Sequence, residues 1–257
     1  DLVSPGHIFP VRAKNGGVLV RSAAPEAAVD LLIMSGIIPA AALCHCLDDA
    51  GELPSESALR SLAAELNVPV VSVADVIRER LAREQILEVI THATLPMRDA
   101  GEFTVYCFRS HVDGSEHVAL VKGALSERGE DGLRRPVLAR VQAENHLGDL
   151  LGSAEKTSRM RMKKSLSRIA QEGRGVFVYV RHPAKSVFQE APGIKSDDAR
   201  ADRVSMLREY GIGAQILNYL GAKRIKLLTS STRDLSGIED FQIEIVERIS
   251  LWDCDCA

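Results

Sequence analysis

The chain has 257 residues, 46% hydrophobic and 26% charged, a mixture that supports buried cores in one large or two modest domains. A formal net charge of −3 argues against a dedicated nucleic-acid binder, which needs a strong basic excess for counterion release. No apolar run approaches the ~20 residues that span a bilayer, so the chain reads as soluble.

In chain order, Gly16-Gly17 between short apolar stretches predicts a hairpin over residues 10–21. Ala27, Ala28, Leu31, Leu32 and Met34 recur at helical spacing after Pro25 and predict a helix over 25–35. Residues 40–47 and 68–73 are short β-type runs around a predicted helix at 55–66, an alternation that implies an α/β layer. A long charged helix is expected from Val73 to Val89, connecting two domains with the boundary near residue 85. Beyond it, β-type segments at 104–110, 117–125 and 137–141 predict an antiparallel meander. A basic helix at 158–171 leads into a strand at 176–181, and a loose stretch fills 183–203. A helix near 214–220 and strands at 224–229 and 242–248 complete the chain.

Few of these segments carry legible chemistry. Cys44-His45-Cys46 and Cys254-Asp255-Cys256 have ligand-like density for a thiolate zinc site, although buried structural cysteine is the commoner reading of such pairs. Five cysteines, the fifth being Cys107, are an odd count that fits a reducing compartment. Arg159, Arg161, Lys163, Lys164 and Arg168 make one helix strongly cationic, suited to phosphates or an acidic partner. The bland reading is a solvated face, and no aromatic residues are interleaved for base stacking. Glu172-Gly173-Arg174-Gly175 reads as a tight turn rather than a phosphate cradle, because it precedes a strand. Asp48, Asp49 and Glu52 read as a hydrated acidic turn. No Ser/His/Asp or Cys/His arrangement stands out. The first residue is Asp1, which fits either removal of a targeting peptide or a longer product.

Longer phrases carry a resemblance. Ser4-Pro5-Gly6-His7-Ile8-Phe9-Pro10, Gly16-Gly17-Val18-Leu19-Val20-Arg21 and Glu26-Ala27-Ala28-Val29-Asp30-Leu31 resemble the carboxy-terminal part of 3,4-dihydroxy-2-butanone 4-phosphate synthase. Val112-Asp113-Gly114-Ser115-Glu116-His117-Val118, Pro136-Val137-Leu138-Ala139-Arg140-Val141, Gly148-Asp149 and Arg208-Glu209-Tyr210-Gly211-Ile212-Gly213-Ala214 are similar to GTP cyclohydrolase II. Their order is that of the bifunctional riboflavin-biosynthesis family. The resemblance implies a partial α/β synthase-like domain over 1–85 and a mixed β/α cyclohydrolase-like domain over 86–257. Val105-Tyr106-Cys107-Phe108-Arg109-Ser110 leans toward the plant and cyanobacterial form, which implies plastid stroma or another organelle, with cytoplasm as the alternative.

The same resemblance locates the substitutions. The synthase family's magnesium-binding histidine falls on Ala24, its neighbour Glu26 persists, and the glutamate expected after Cys44 is His45. The three zinc thiolates of the cyclohydrolase family fall on Asn145, Lys156 and Ser158, and the arginine before the second on Glu155. A methyl group cannot coordinate a metal, and an ammonium repels one. The family's Arg-Gln-Glu-Gly-Arg segment reads Arg181-His182-Pro183-Ala184-Lys185, and the aspartate two positions before Arg208 is Met206. Arg140, Arg208 and Thr229 survive, with Arg233 as a basic stand-in. Neither metal nor other cofactor is therefore expected. The expected function is that of an inactive homologue, a structural or regulatory subunit in a larger complex or beside an active riboflavin enzyme, with the family's homodimeric habit. The alternative is an enzyme or sensor that binds a nucleotide or sugar phosphate in the old cyclohydrolase cleft. A weaker third reading, RNA association through Arg159–Arg168, runs against the overall charge.

Overall fold

The computed structural model describes residues 5–129, 132–153, 157–181, 199–229 and 241–251. The chain divides into two compact units, Asp1–Glu79 and Arg80–Ala257. In the first, Gly16 adopts a left-handed φ of 88° and starts a single 3-10 turn, Gly17–Leu19, where the sequence predicts a hairpin. The turn is tied to helix α1 (Ala24–Met34) because the Val18 amide donates to Asp30 Oδ2 at 2.8 Å. Helix α2 (Glu56–Glu65) starts where Ser55 Oγ accepts from the Ala58 amide. Helix α3 (Val73–Arg83) starts with a reciprocal box in which the Ser72 amide donates to Asp75 Oδ2 and the Asp75 amide to Ser72 Oγ.

The expected strands at 40–47 and 68–72 do not form, and Val73 belongs to α3. Leu43, Leu47, Val68, Val70 and Val71 are all exposed. A β-branched run becomes a strand only when a neighbour completes its ladder, and among the described residues of this unit none does.

The second unit holds a seven-stranded sheet. Its strands are β1 (Leu87–Met97), β2 (Gly101–Ser110), β3 (Glu116–Lys122), β4 (Val137–Ala143), β5 (Gly175–Val180), β6 (Arg224–Thr229) and β7 (Glu244–Ser250), in the order β1-β2-β3-β5-β4-β6-β7. The antiparallel run predicted to continue through 137–141 stops at β3. Strand β4 lies between β5 and β6, parallel to both, while β3 pairs antiparallel with β5. Entry to β4 is held where Arg134 Nη1 donates to the Gly221 carbonyl and Arg224 Nη1 to the Arg134 carbonyl.

Two helix boundaries differ from expectation for tertiary reasons. The helix predicted to reach Val89 ends at Arg83, because Gln215 Nε2 donates to the Leu81 and Glu84 carbonyls at 2.8 and 2.7 Å. Gln215 Oε1 accepts from the Ile86 amide, so one side chain satisfies the helix end and starts β1. At the other end of the sequence, the helix expected over 214–220 is α5 (Ala199–Tyr219), which takes in residues assigned to the loose stretch. Its Gly211 and Gly213 are points of close contact. A Cβ would fall 2.6 Å from Leu81 Cδ1 at Gly211 and 2.8 Å from Val141 Cγ1 at Gly213.

Helix α5 therefore meets the face of β4 that carries Val141. Helix α4 (Ser158–Glu172) covers the opposite face, where Leu166 and Ile169 pack with Phe103, Leu138, Phe177 and Leu228. Gly173, at φ 71°, ends α4 in a left-handed cap, consistent with the predicted tight turn. Gly175 then passes beneath the helix, and a Cβ there would lie 2.6 Å from the Leu138 carbonyl oxygen and 2.9 Å from Ile169 Cγ2. Gly175→Ala is therefore expected to cost about 1–3 kcal/mol through overpacking. Urea unfolding checks this as a lower midpoint at unchanged slope.

Candidate functional site

Open sheets with parallel strands form ligand sites beyond the carboxyl ends of those strands. Here that rim lies past Ala143, Val180 and Thr229. Alternation along β4 places Arg140 and Gln142 on the α4 side, where they register with Phe177 and Tyr179 of β5. Beyond β4 the chain makes one π-type turn, His146–Leu150, capped by Asn145, whose Oδ1 accepts from the Gly148 amide at 2.7 Å.

Asp149 organises this corner. Its Oδ1 accepts from Gln142 Nε2 at 3.2 Å, and its Oδ2 from the Asn145 amide at 3.0 Å and Tyr179 Oη at 2.8 Å. Burial, then the Asp149 carboxylate, raises the Tyr179 phenol far above the ordinary tyrosine value, so it remains a donor. Gln142 Nε2 also reaches the Ser158 carbonyl at the start of α4, at 3.3 Å. Glu144 has Arg181 Nε at 3.3 Å and His146 Nε2 at 3.4 Å.

Arg140 Nη1 donates to the Leu228 carbonyl at 2.9 Å, and its Nε is buried without a partner among the described residues. Burial first, and then the neighbouring Arg161 charge, lower its pKa to about 10 against a smaller opposing effect of Tyr210; it stays protonated at neutral pH. Arg208 of α5 is lowered by burial too, but Asp113 opposes that shift. Thr229 closes β6, its carbonyl accepting from the Leu251 amide at 3.1 Å.

A buried polar chain that sequence reasoning missed lies on the β2–β3 turn. The Arg181 amide donates to His117 Nδ1 at 3.1 Å, which leaves the proton on Nε2 to donate to Ser115 Oγ at 3.0 Å. Ser115 Oγ donates in turn to Asp113 Oδ1 at 2.6 Å. Serine bridges histidine and carboxylate here, so the histidine is placed to hold the loop rather than to activate the hydroxyl. The D-x-S-x-H alternation was the available signal.

Thus the structure gathers Arg140, Asn145 and Ser158 around β4 and α4, and places Arg208 beside Asp113. Lys156, Arg233, Cys254 and Cys256 lie outside the described residues. Cys44, His45 and Cys46 are exposed, not buried as the cysteine reading favoured, because the segment that carries them has no sheet to enter. Asp48 forms the expected turn, Oδ1 accepting from the Ala50 and Glu52 amides. In the first unit Ala24 opens α1 at the surface. Glu26 is fully buried, Oε1 accepting from the Lys14 amide at 2.8 Å and Arg21 Nη2 at 2.6 Å.

Comparison with known proteins agrees with this layout. Residues 88–250 match the GTP cyclohydrolase II family and residues 1–79 match 3,4-dihydroxy-2-butanone 4-phosphate synthase. The chain belongs to the GTP cyclohydrolase II family and carries the two parts in the order of the bifunctional riboflavin biosynthesis proteins. It is 38% identical to the bifunctional riboflavin biosynthesis protein RIBA 1, chloroplastic, of Arabidopsis thaliana, over 98% of this chain and 47% of that protein. It is 37% identical to RibBA of Synechocystis, over 98% and 46%, and 36% identical to the monofunctional RIBA 2, chloroplastic, of Arabidopsis thaliana, over 98% and 52%. The chain thus spans about half the length of these curated relatives. Among solved structures it is similar to RibBX, a two domain 3,4-dihydroxy-2-butanone 4-phosphate synthase from A. baumannii. The TM-score is 0.75 at 29% identity, over 96% of this chain and 64% of that one. No described helix is long and apolar enough to cross a membrane.

The environment of Glu26 sets a pH dependence. Burial alone would raise its pKa, but the hydrogen bonds from Arg21 and the Lys14 amide outweigh burial and hold it below the ordinary value of 4.5. A lowered folded pKa contributes stability that is fully present above the unfolded value and is lost as pH falls through the folded one. Hydrogen-exchange protection of α1, taken relative to the intrinsic rate at each pH, is expected to fall below pH 4.5 in the natural chain, and Glu26→Gln is expected to remove that acid-dependent component.

Proposed function

We propose that this chain is a catalytically inactive homologue of the bifunctional riboflavin biosynthesis enzyme, a structural or regulatory subunit of a larger assembly. The observation that carries the reading is Asn145. At a position where the family resemblance places a zinc thiolate, its amide oxygen is committed to the Gly148 N–H and caps the turn. Ser158 offers only a hydroxyl, and the cations Arg140 and Arg161 flank the corner, a setting that disfavours a dication. The donor set does not fit zinc, so no hydrolytic step is derived through one.

Two similarities support the reading. RIBA 2 of Arabidopsis thaliana carries the name monofunctional, and RibBX is described by the synthase activity although it has two domains. The chloroplastic relatives support a plastid stroma as its place, with cytoplasm as the alternative suggested by bacterial ones.

The test is a purified full chain measured for zinc and for formate release from GTP, with native-mass analysis of the chain from its source. Expected are zinc well below one per chain, no formate, and stoichiometric co-migration with a partner. Stoichiometric zinc with GTP turnover overturns the inactive reading. Recovery only as a free homodimer overturns the subunit reading.

A second reading, binding of a nucleotide or sugar phosphate at the rim, is favoured by the partly buried Arg140 with its unpartnered Nε. A saturable rise in melting temperature with GTP or ribose 5-phosphate is its expected outcome.

A further inference from the structure

A cavity of about 360 Å³ lies on the α5 side of the second unit, bounded by the segment that leads from α3 into β1, the last turn of α5 and the residues before β7. That size falls in the range of small-molecule sites. Phe108 and Phe241 of its lining are buried, Tyr219 is more than half exposed, and the Phe108 and Tyr219 rings meet edge to face at 5.5 Å. The polar groups among these rings are carboxamides. Gln215 is committed to the end of α3, but the side chains of Gln85 and Gln242 have no partner among the described residues. Asn218 Nδ2 donates to the Phe241 carbonyl at 2.7 Å, which fixes the other end of that carboxamide as an acceptor. Its Oδ1 is buried without a partner among the described residues. The charged residues of the lining are Arg83 and Glu84, of opposite sign, and Arg80 already holds the Glu84 carboxylate. Gln242 has a φ of 62°, a left-handed backbone that glutamine rarely adopts. A strained residue with a free carboxamide on a cavity wall points to a binding position, since glycine would serve a mere turn.

We propose that this cavity binds the ring of an uncharged planar heterocycle with a lactam edge, of the kind that nucleobases carry. The aromatic side chains give the flat faces of such a ring a stacking surface. Its N–H supplies the donor that Asn218 Oδ1 lacks, and its carbonyl accepts from the amide of Gln85 or Gln242. The near-neutral lining favours a ligand without charge over a phosphate. The site goes beyond the readings above and shares no residue with the polar corner, where Arg140 and Gln142 face α4.

The test is calorimetric titration of the full chain with inosine, with 1-methylinosine, whose methyl group replaces the lactam N–H, and with inosine 5′-monophosphate. Thermal melting is the second readout. Inosine is expected to bind saturably and 1-methylinosine about tenfold more weakly, as loss of one buried hydrogen bond requires. Tyr219→Ala is expected to weaken inosine binding about tenfold through lost stacking. Gln242→Gly is expected to weaken it about fivefold through the lost carboxamide. Without ligand the Gln242 variant is expected to melt no lower than the natural chain, because glycine takes the left-handed backbone without strain; a merely structural Gln242 would lower it. Phe9→Ala, which removes an exposed ring of the first unit, is expected to leave inosine affinity within about twofold. Equal binding of inosine and its monophosphate assigns the site to the free nucleoside. Tighter binding of the monophosphate that Tyr219→Ala also weakens assigns it to nucleotides; both support the site. Equal binding of inosine and 1-methylinosine means that no lactam edge is read and overturns it. Inosine binding that the Tyr219 and Gln242 variants leave intact overturns the site while ligand binding at the rim stands. Absence of binding overturns it as well, and zinc content and formate release decide the inactive reading separately.

Discussion

Insertion of β4 between β5 and β6 is the constraint on which the second unit depends. Parallel pairing on both sides buries Leu138 and Ala139 and carries the strand's carboxyl end to the rim with Arg140 and Gln142 on one face. Because side chains alternate, Val141 faces α5 and the polar pair faces α4. Gly213, on α5 itself, and Gly175, beneath α4, permit the close approach on the two sides. The polar corner thus follows from strand placement: the residues that reach solvent at the end of a buried parallel strand must find partners there or keep their charge available.

Asp149 settles which of them find partners. One carboxylate takes up Gln142, Tyr179 and the Asn145 amide, leaving none for Arg140. Removing a charge from water is costly unless it is matched, and the cost is visible in the lowered pKa of Arg140. The corner commits its polar groups to one another within the fold. That links the fold to the proposed loss of metal chemistry, since the groups that cap the turn and start α4 are the ones aligned with the family's thiolates.

The first unit follows a different balance. Its local order comes from two buried carboxylates, Glu26 and Asp30, that bind backbone amides of the turn before α1, so a short helix and a loop hold each other without a sheet. Residues that would be core in a sheet, among them Ile38, Leu43 and Val71, stay on the surface. Glu26 was legible as a surviving family position. Its bracing of the loop was not, because the Lys14 amide lies twelve residues away.

By itself the sequence determined what depends on local pattern: helices α1, α2 and α4 from spacing and caps, strands β2 to β6 from β-type runs, and the family order from phrases such as Glu116-His117-Val118-Ala119-Leu120. It also located Arg140, Asn145, Ser158 and Arg208 as positions of interest. Only the tertiary structure decided where α3 stops, since that end is made by Gln215 from a distant helix, and that 40–47 finds no ladder. It alone set Arg140 on the Leu228 carbonyl and joined Asp113, Ser115 and His117 into one chain. The physical reason is range. Propensity and periodicity act over a few residues, whereas the parallel placement of β4, the burial of a charge and the choice of its partner depend on groups brought together only when the sheet closes.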